Sequence, residues 1–187
     1  MKRHRQNGMS LLELMIAIVV VAVGIGGTTV LLTSTISSDN KNNSDTTATL
    51  LAQMVLEQIS AQAINSTQQI QVTDCAGNTW NVSTDPGTAG TGNGATLKSD
   101  GTIDFTQAQS GLVTDGYAMN YVDCSTSGGV QITYDVRWNV MSASSNTTSR
   151  LITTAARPSA SNVSQLGGMF FAIPVTLRGI GGASADQ

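Results

Sequence analysis

With 187 residues, 40% of them apolar and only 11% charged, the chain has room for one domain and an appendage, or for two small domains. Its formal charge is −3, and three positive charges fall within residues 1–8, so the remainder stands at −6. An acidic body with scattered Lys and Arg argues against a nucleic-acid binder. The one histidine, His4, leaves everything after it without His-based acid–base chemistry, a Ser-His-Asp arrangement or the commonest zinc ligand.

The first element is an apolar run. Residues 14–32 (LMIAIVVVAVGIGGTTVLL) hold no charge. As a helix rising ~1.5 Å per residue they span ~28 Å, about one hydrocarbon core. Lys2, Arg3 and Arg5 precede the run, and the next basic residue is Lys41. The positive-inside rule therefore keeps the tip in the cytoplasm and sends the chain beyond residue 32 across the membrane. Gly24, Gly26, Gly27, Thr28 and Thr29 form a weak patch in this helix, each Gly costing about 0.8–1 kcal/mol against Ala. Two readings stand: a place where the helix loosens, or a small-residue face for close helix contact.

Residues 33–47 are polar and poor in helix formers, with a kink or frayed turn expected near residues 38–44. Leu50, Leu51, Met54, Val55, Ile59 and Ala63 then recur at three- and four-residue spacings, the mark of an amphipathic helix. No proline occurs before Pro86, so one long helix is expected from about Ser10 to Asn65. Its second half packs on a sheet through Leu51, Val55 and Ile59.

Beyond residue 69 short strands alternate with turns. Ile70-Gln71-Val72-Thr73 and Thr79-Trp80-Asn81-Val82 read as half-buried strands. Residues 86–94 (PGTAGTGNG) read as a flexible loop without an apolar anchor, and Thr102-Ile103-Asp104-Phe105 as a short strand. In residues 131–141 (QITYDVRWNVM), Ile132, Tyr134, Val136, Trp138 and Val140 share one face, the clearest strand of the chain. Residues 150–156 and 168–177 supply two more. A leading helix with strands after it gives an α+β class, an antiparallel sheet laid on a helix.

The two cysteines, Cys75 and Cys124, lie in the translocated part. An export signal upstream favours a structural disulfide over two unpaired buried thiols. The bond would close a loop of about 50 residues, worth about 4 kcal/mol in the chain-entropy model. Their spacing excludes a CxxC redox pair.

A basic tip before an apolar run is a signal peptide, a plain signal anchor or a leader of another kind. The apolar run continues past the weak cleavage candidate Ala22-Val23-Gly24, which is long for a signal peptide. A plain anchor accounts for neither Gly8 nor Glu13. Taken alone, Ser10-Leu11-Leu12-Glu13 fits a capping box, and an acid in a first helical turn is worth typically about 0.3–1 kcal/mol.

Gly8-Met9-Ser10-Leu11-Leu12-Glu13, after a basic tip and before about twenty apolar residues, strongly resembles the type IV pilin and pseudopilin superfamily. The resemblance covers residues 1 to about 35 closely and the next part of the helix loosely. It implies that a prepilin peptidase cuts after Gly8 and methylates the amine of Met9. It further implies that Glu13, fifth in the mature chain, neutralises the N-terminal amine of a neighbouring subunit during assembly. An acidic side chain at the centre of a spanning helix costs about 2.5–3.5 kcal/mol and less toward the interface, so it needs a partner. Capping and pairing are compatible. Phe usually comes directly after the cut, and Met9 stands there instead. Together with the phrase MSLLELMIAIVVVAVGIGG, this is similar to minor pilins of the pilus-modification type more than to major subunits.

The organisation expected is a leader at 1–8, a transmembrane and filament-core helix at 9–32, its amphipathic continuation at 33–65, and a β-rich head at 66–187. The implied protein is no enzyme but a structural subunit, without cofactor or metal, in or at the tip of a pilus. Its partners are other pilin subunits, the prepilin peptidase, an inner-membrane assembly platform and the lipid bilayer. It is a single-pass inner-membrane protein with a periplasmic head before assembly, and lies on the pilus or cell surface after it. The alternatives are a pseudopilin of a type II secretion system and, in another class, a membrane-anchored periplasmic binding domain. Asp100-Gly101-Thr102-Ile103-Asp104 lacks EF-hand spacing, although some pseudopilins bind calcium.

Overall fold

The computed structural model describes residues 10–63, 69–124, 131–143, 149–159 and 173–182. The chain divides into two units, Met1–Asn40 and Lys41–Gln187. One helix, α1 (Leu11–Ser60), contributes residues to both.

In the first unit the described residues are helical from Leu11 onward and exposed throughout. The hydroxyls of Thr28, Thr29, Thr33 and Thr35 donate to carbonyls three or four residues back at 2.8–3.2 Å. Such back-bonding lets Thr sit inside a helix without competing for its ladder. Helical assignment runs through the glycine patch at 24–29 and through residues 38–44. The frayed turn expected there is absent.

In the second unit α1 buries Ser44, Ala48, Leu51, Ala52, Val55 and Ile59; Leu51, Val55 and Ile59 are the stripe expected from the spacing, whereas Leu50 of the same periodic set stands exposed. It lies on a five-stranded antiparallel sheet built around β5 (Ile132–Ser142). β6 (Arg150–Pro158) and then β7 (Val175–Gly181) lie on one side of β5. On the other side β5 pairs with the two-residue β3 (Asn93–Gly94) and with β4 (Ala118–Asp123). A separate hairpin joins β1 (Ile70–Thr73) to β2 (Thr79–Val82), and a short helix, α2, spans Gln109–Thr114. The α+β class stands as expected.

The register separates two faces. Val136, Trp138 and Val140 pair across with Ala156, Thr154 and Ile152. This face meets α1: the Thr154 hydroxyl donates to the Ala52 carbonyl at 3.0 Å, and a Cβ on Gly179 would stand 3.0 Å from Leu56. The alternation along β5 therefore points where the sequence places it. On the opposite, polar face Asp135, Arg137, Asn139 and Thr153 are buried too. Segment 91–109 supplies partners for three of them: Arg137 Nη1 donates to the Gln107 carbonyl (2.7 Å), Asn139 Nδ2 to those of Thr91 and Ala95 (3.2 and 3.0 Å), and Gln109 Nε2 to Asp135 (2.8 Å). Buried polar groups are tolerated where such partners exist.

That cover corrects two expectations. Residues 86–94 are no free loop, because Asn93 and Gly94 pair with Val140 and Asn139, and Gly87 bridges Met141. The anchor is backbone pairing, which an apolar pattern does not reveal. Gly94 makes it possible with φ 101°, where a Cβ would collide with the Trp138 carbonyl. The expected strand at residues 102–105 reduces to one bridge, Leu97 to Ile103. Asp100 and Asp104 each accept from the backbone and hydroxyl of the Thr two residues on, at 2.7–2.9 Å. These local bonds compete with a ladder.

Two boundaries also move. The last strand is β7 rather than 168–177, of which residues 168–172 lie outside the described residues. Its Gly179 and Gly181 read as strand breakers, but they admit the close approach of α1. The helix closes at Ser60, short of the expected Asn65, which lies outside the described residues. The guanidinium of Arg150 takes the carbonyls of Ile59 and Gln62 at that point.

Candidate functional site

Two kinds of feature could carry a function: the exposed apolar part of α1, and polar clusters in the head. On α1, Leu11 (76%), Leu12 (68%), Val23 (71%) and Val30 (69%) are typical of a run of large apolar side chains left open. Burying one such side chain is worth ~1.5–3 kcal/mol, so exposing the row to water forgoes roughly 20 kcal/mol or more. The stretch requires an apolar surrounding, lipid or other helices. Its length and mean hydropathy of 2.5 suffice to cross a membrane, and it is the one such helix among the described residues.

Glu13 stands in the first turn of α1. The turn opens with the Leu14 N–H donating to the Ser10 carbonyl at 3.1 Å. Among the described residues Glu13 has neither a capping hydrogen bond nor an ion pair, so nothing there satisfies its carboxylate. Gly8 and Met9, the expected cleavage and methylation positions, lie outside the described residues. Ala17, Ile18, Val21, Ala22 and Ile25 lie along one exposed apolar face of the helix. An added Cβ at Gly24, Gly26 or Gly27 would meet nothing within 4 Å. No contact among the described residues asks for these glycines. Small residues with free space above them suit close approach of another helix.

In the head, Cys75 and Cys124 form the expected disulfide, with Cα atoms 6.0 Å apart across a separation of 49 residues. It fastens the β1–β2 turn to the end of β4. Beside it Asp74 is buried and accepts from the backbones of Ala76 (3.0 Å), Asn78 (2.8 Å) and Val122 (3.2 Å) and from the side chain of Asn78 (3.0 Å). Burial pushes its pKa up, but the hydrogen bonds from Asn78, Val122 and Trp80 together outweigh this and hold the carboxyl below its usual range. The carboxylate and the disulfide are two fastenings of one joint.

A second acid, Asp135, is held bidentate by Arg137 (both contacts 2.8 Å), bonded by Gln109 (2.8 Å) and approached by Arg157 (3.5 Å). Both arginines lie over the Phe105 ring, at 4.9 and 4.4 Å from its centroid. With its oxygens so engaged, Asp135 fits the role of a structural ion cluster better than that of an acid or base. A cleft of about 310 Å³ between Asn93, Gln107, Leu112, Asp115 and Tyr117 contains one carboxylate and one phenol, and burial pushes the Tyr117 pKa up, away from acid–base use. Among the described residues no group of three or more His, Cys, Asp or Glu could hold a metal ion.

A family model, the prokaryotic N-terminal methylation motif, matches residues 3–29. Comparison with curated proteins and with solved structures finds no match for the chain. The matched residues include Glu13 and most of the apolar run of α1 and lie entirely outside the β-rich head. Sequence reasoning missed Arg150, whose contacts join residues 88 and 91 positions apart, and the short elements β4, which pairs with the strand that follows it, and α2.

Proposed function

Because the methylation motif marks the chain as a type IV pilin-like or pseudopilin structural subunit, we propose that it is a minor type IV pilin. In this reading residues 1–8 are a leader and prepilin peptidase cuts between Gly8 and Met9. Met9 is then N-methylated, and the α1 segment leaves the inner membrane for the core of a filament. The head is in the periplasm before assembly and on the pilus or cell surface afterwards. Partners are the peptidase, the assembly platform, the bilayer and other pilin subunits. The motif implies a structural rather than an enzymatic protein.

One observation carries the proposal: an apolar helix without a partner among the described residues begins with a Glu13 that nothing among those residues satisfies. Lipid alone would favour no carboxylate at this place. A helix that leaves lipid to pack beside others has a use for both features. The Glu13 carboxylate would meet the amine that cleavage creates on a neighbouring subunit, which explains an acid within reach of the apolar run better than capping does. The choice of a minor pilin over a major one or a secretion pseudopilin rests on Met9 and the apolar phrase after it.

The test is Glu13→Ala in cells that assemble pili. Cleavage should continue, and the protein should remain in the membrane fraction and be lost from sheared fibres by immunoblot. Undiminished incorporation would reduce Glu13 to a helix cap. Recovery with a secretion complex rather than with sheared pili would favour the pseudopilin.

A further inference from the structure

Arg150, the first residue of β6, is fully buried. The ion pairs among the described residues are those of Asp135 with Arg137 and Arg157, so the Arg150 cation is stabilised by other means. Its guanidinium faces carbonyls. Nη2 donates to Ile59 and Gln62, the latter at 2.6 Å, and Nη1 reaches Thr84 at 3.3 Å. Ile59 and Gln62 sit at the C-terminal end of α1, whose last turn contains no basic residue. A strand residue 91 positions from Ile59 thus supplies the cap that the helix lacks. The end of a helix carries partial negative charge, which suits a cation, and the planar guanidinium can serve several carbonyls without losing its proton.

The packing is arranged around this contact. A Cβ on Gly181 would stand 3.2 Å from Arg150 Nε and 3.4 Å from Ser60 Cα, and one on Gly179 would stand 3.0 Å from Leu56. Two glycines of β7 therefore let the last turns of α1 settle onto the sheet. Otherwise the contact is largely apolar, through Ala48, Leu51, Ala52, Val55 and Ile59. Apolar burial is non-directional and resists sliding along the helix axis only weakly. Directional ties come from Thr154 to the Ala52 carbonyl and from Arg150. A slide of one turn, ~5.4 Å, would carry Ile59 and Gln62 away and leave a buried cation bare. That state is strongly disfavoured.

We propose that Arg150 is a register latch, locking α1 against the β-sheet so that the head moves with the helix when it is drawn along its axis. The source of the load rests on the filament-subunit reading, whereas the latch itself does not. A subunit pulled through its N-terminal helix would transmit force to its head through residues 44–60. Arg150 secures the far end of that stretch.

Amide hydrogen exchange on the full chain in detergent micelles tests the latch without requiring assembly, so its failure would leave the filament reading intact. In Arg150→Lys one compact ammonium replaces the planar fork, so its three donors leave a single nitrogen and no longer match carbonyls that Nη1 and Nη2 reach from separate positions. Exchange at residues 52–60 should quicken about tenfold or more, while Val136 and Trp138 at the centre of β5 change by less than about twofold. Protection of residues 52–60 should also fall toward alkaline pH in this variant and not in the wild type, because Lys can lose its proton. Gly181→Ala, which displaces Arg150 and Ser60 without removing a donor, should give the same local pattern more weakly. It carries the test if Arg150→Lys does not fold. Equal acceleration in helix and strand, or no change in either, would overturn the proposal.

Discussion

Ile18 and Ile59 belong to the same helix, yet Ile18 is 60% exposed and Ile59 not at all. Around Ile18 the helix is apolar on every side and its side chains stand open. Around Ile59 it is apolar along one stripe, and that stripe meets a sheet. Helicity does not distinguish the two stretches, since both hold it without interruption. What differs is where the partner comes from. The stretch near Ile59 is completed by residues of its own chain. The stretch near Ile18 must be completed from outside, as expected of a helix apolar all round.

The contrast can be broken most forcefully by the same substitution at both places. Ile59→Ala should lower the unfolding free energy of the head by about 2–5 kcal/mol, and Ile18→Ala should change it by less than about 0.5 kcal/mol. Chemical denaturation in detergent, monitored by the fluorescence of Trp80 and Trp138, reads both. Comparable losses would mean that the apolar stretch is part of the head after all. Next in size is the disulfide. Replacing Cys75 and Cys124 together by Ala should cost the head about 4 kcal/mol, from a loop of about 50 residues. The helical signal of residues 11–32 in circular dichroism should not move, and its collapse would tie the two stretches together.

The smallest effect concerns Asp74. Its folded pKa lies below the usual carboxylate range, so the folded state binds fewer protons than the unfolded one. The resulting stability is present above the unfolded pKa and is lost as pH falls through the folded one, that is, below about pH 4. Asp74→Asn should flatten this acid limb in urea titrations at several pH values while leaving the apolar stretch untouched. An unchanged acid limb would assign the dependence to other carboxylates.

Much of this division is legible in the sequence because it depends on periodicity. The uncharged run of residues 14–32, the Leu51, Val55 and Ile59 stripe and the alternation of Tyr134, Val136, Trp138 and Val140 each reflect where apolar side chains recur. The disulfide is legible from two cysteines placed beyond an export signal. What escapes the sequence is held by backbone groups. Asp135, Arg137 and Asn139 look like the wet face of a strand; Arg137 and Asn139 are buried against carbonyls of segment 91–109, and Asp135 against the side chains of Gln109 and Arg137. Residues 86–94 contain no apolar anchor and are fixed by strand pairing through Gly94. The end of α1 is set by Arg150, whose pairing with Ile59 and Gln62 leaves no local pattern. Of the candidate site, Glu13 stands out as a carboxylate bordering the apolar run, whereas the role of Gly8 and Met9 depends on the leader pattern and on chemistry performed by another protein.

Everything proposed for the apolar helix turns on whether it becomes a mature N-terminus. Intact-mass and N-terminal peptide analysis of the chain, co-expressed with a prepilin peptidase, measures this directly. The predicted product begins at Met9 and carries one methyl group on its amine. A chain that still begins at Met1, or one cut near Gly24, would contradict the pilin reading.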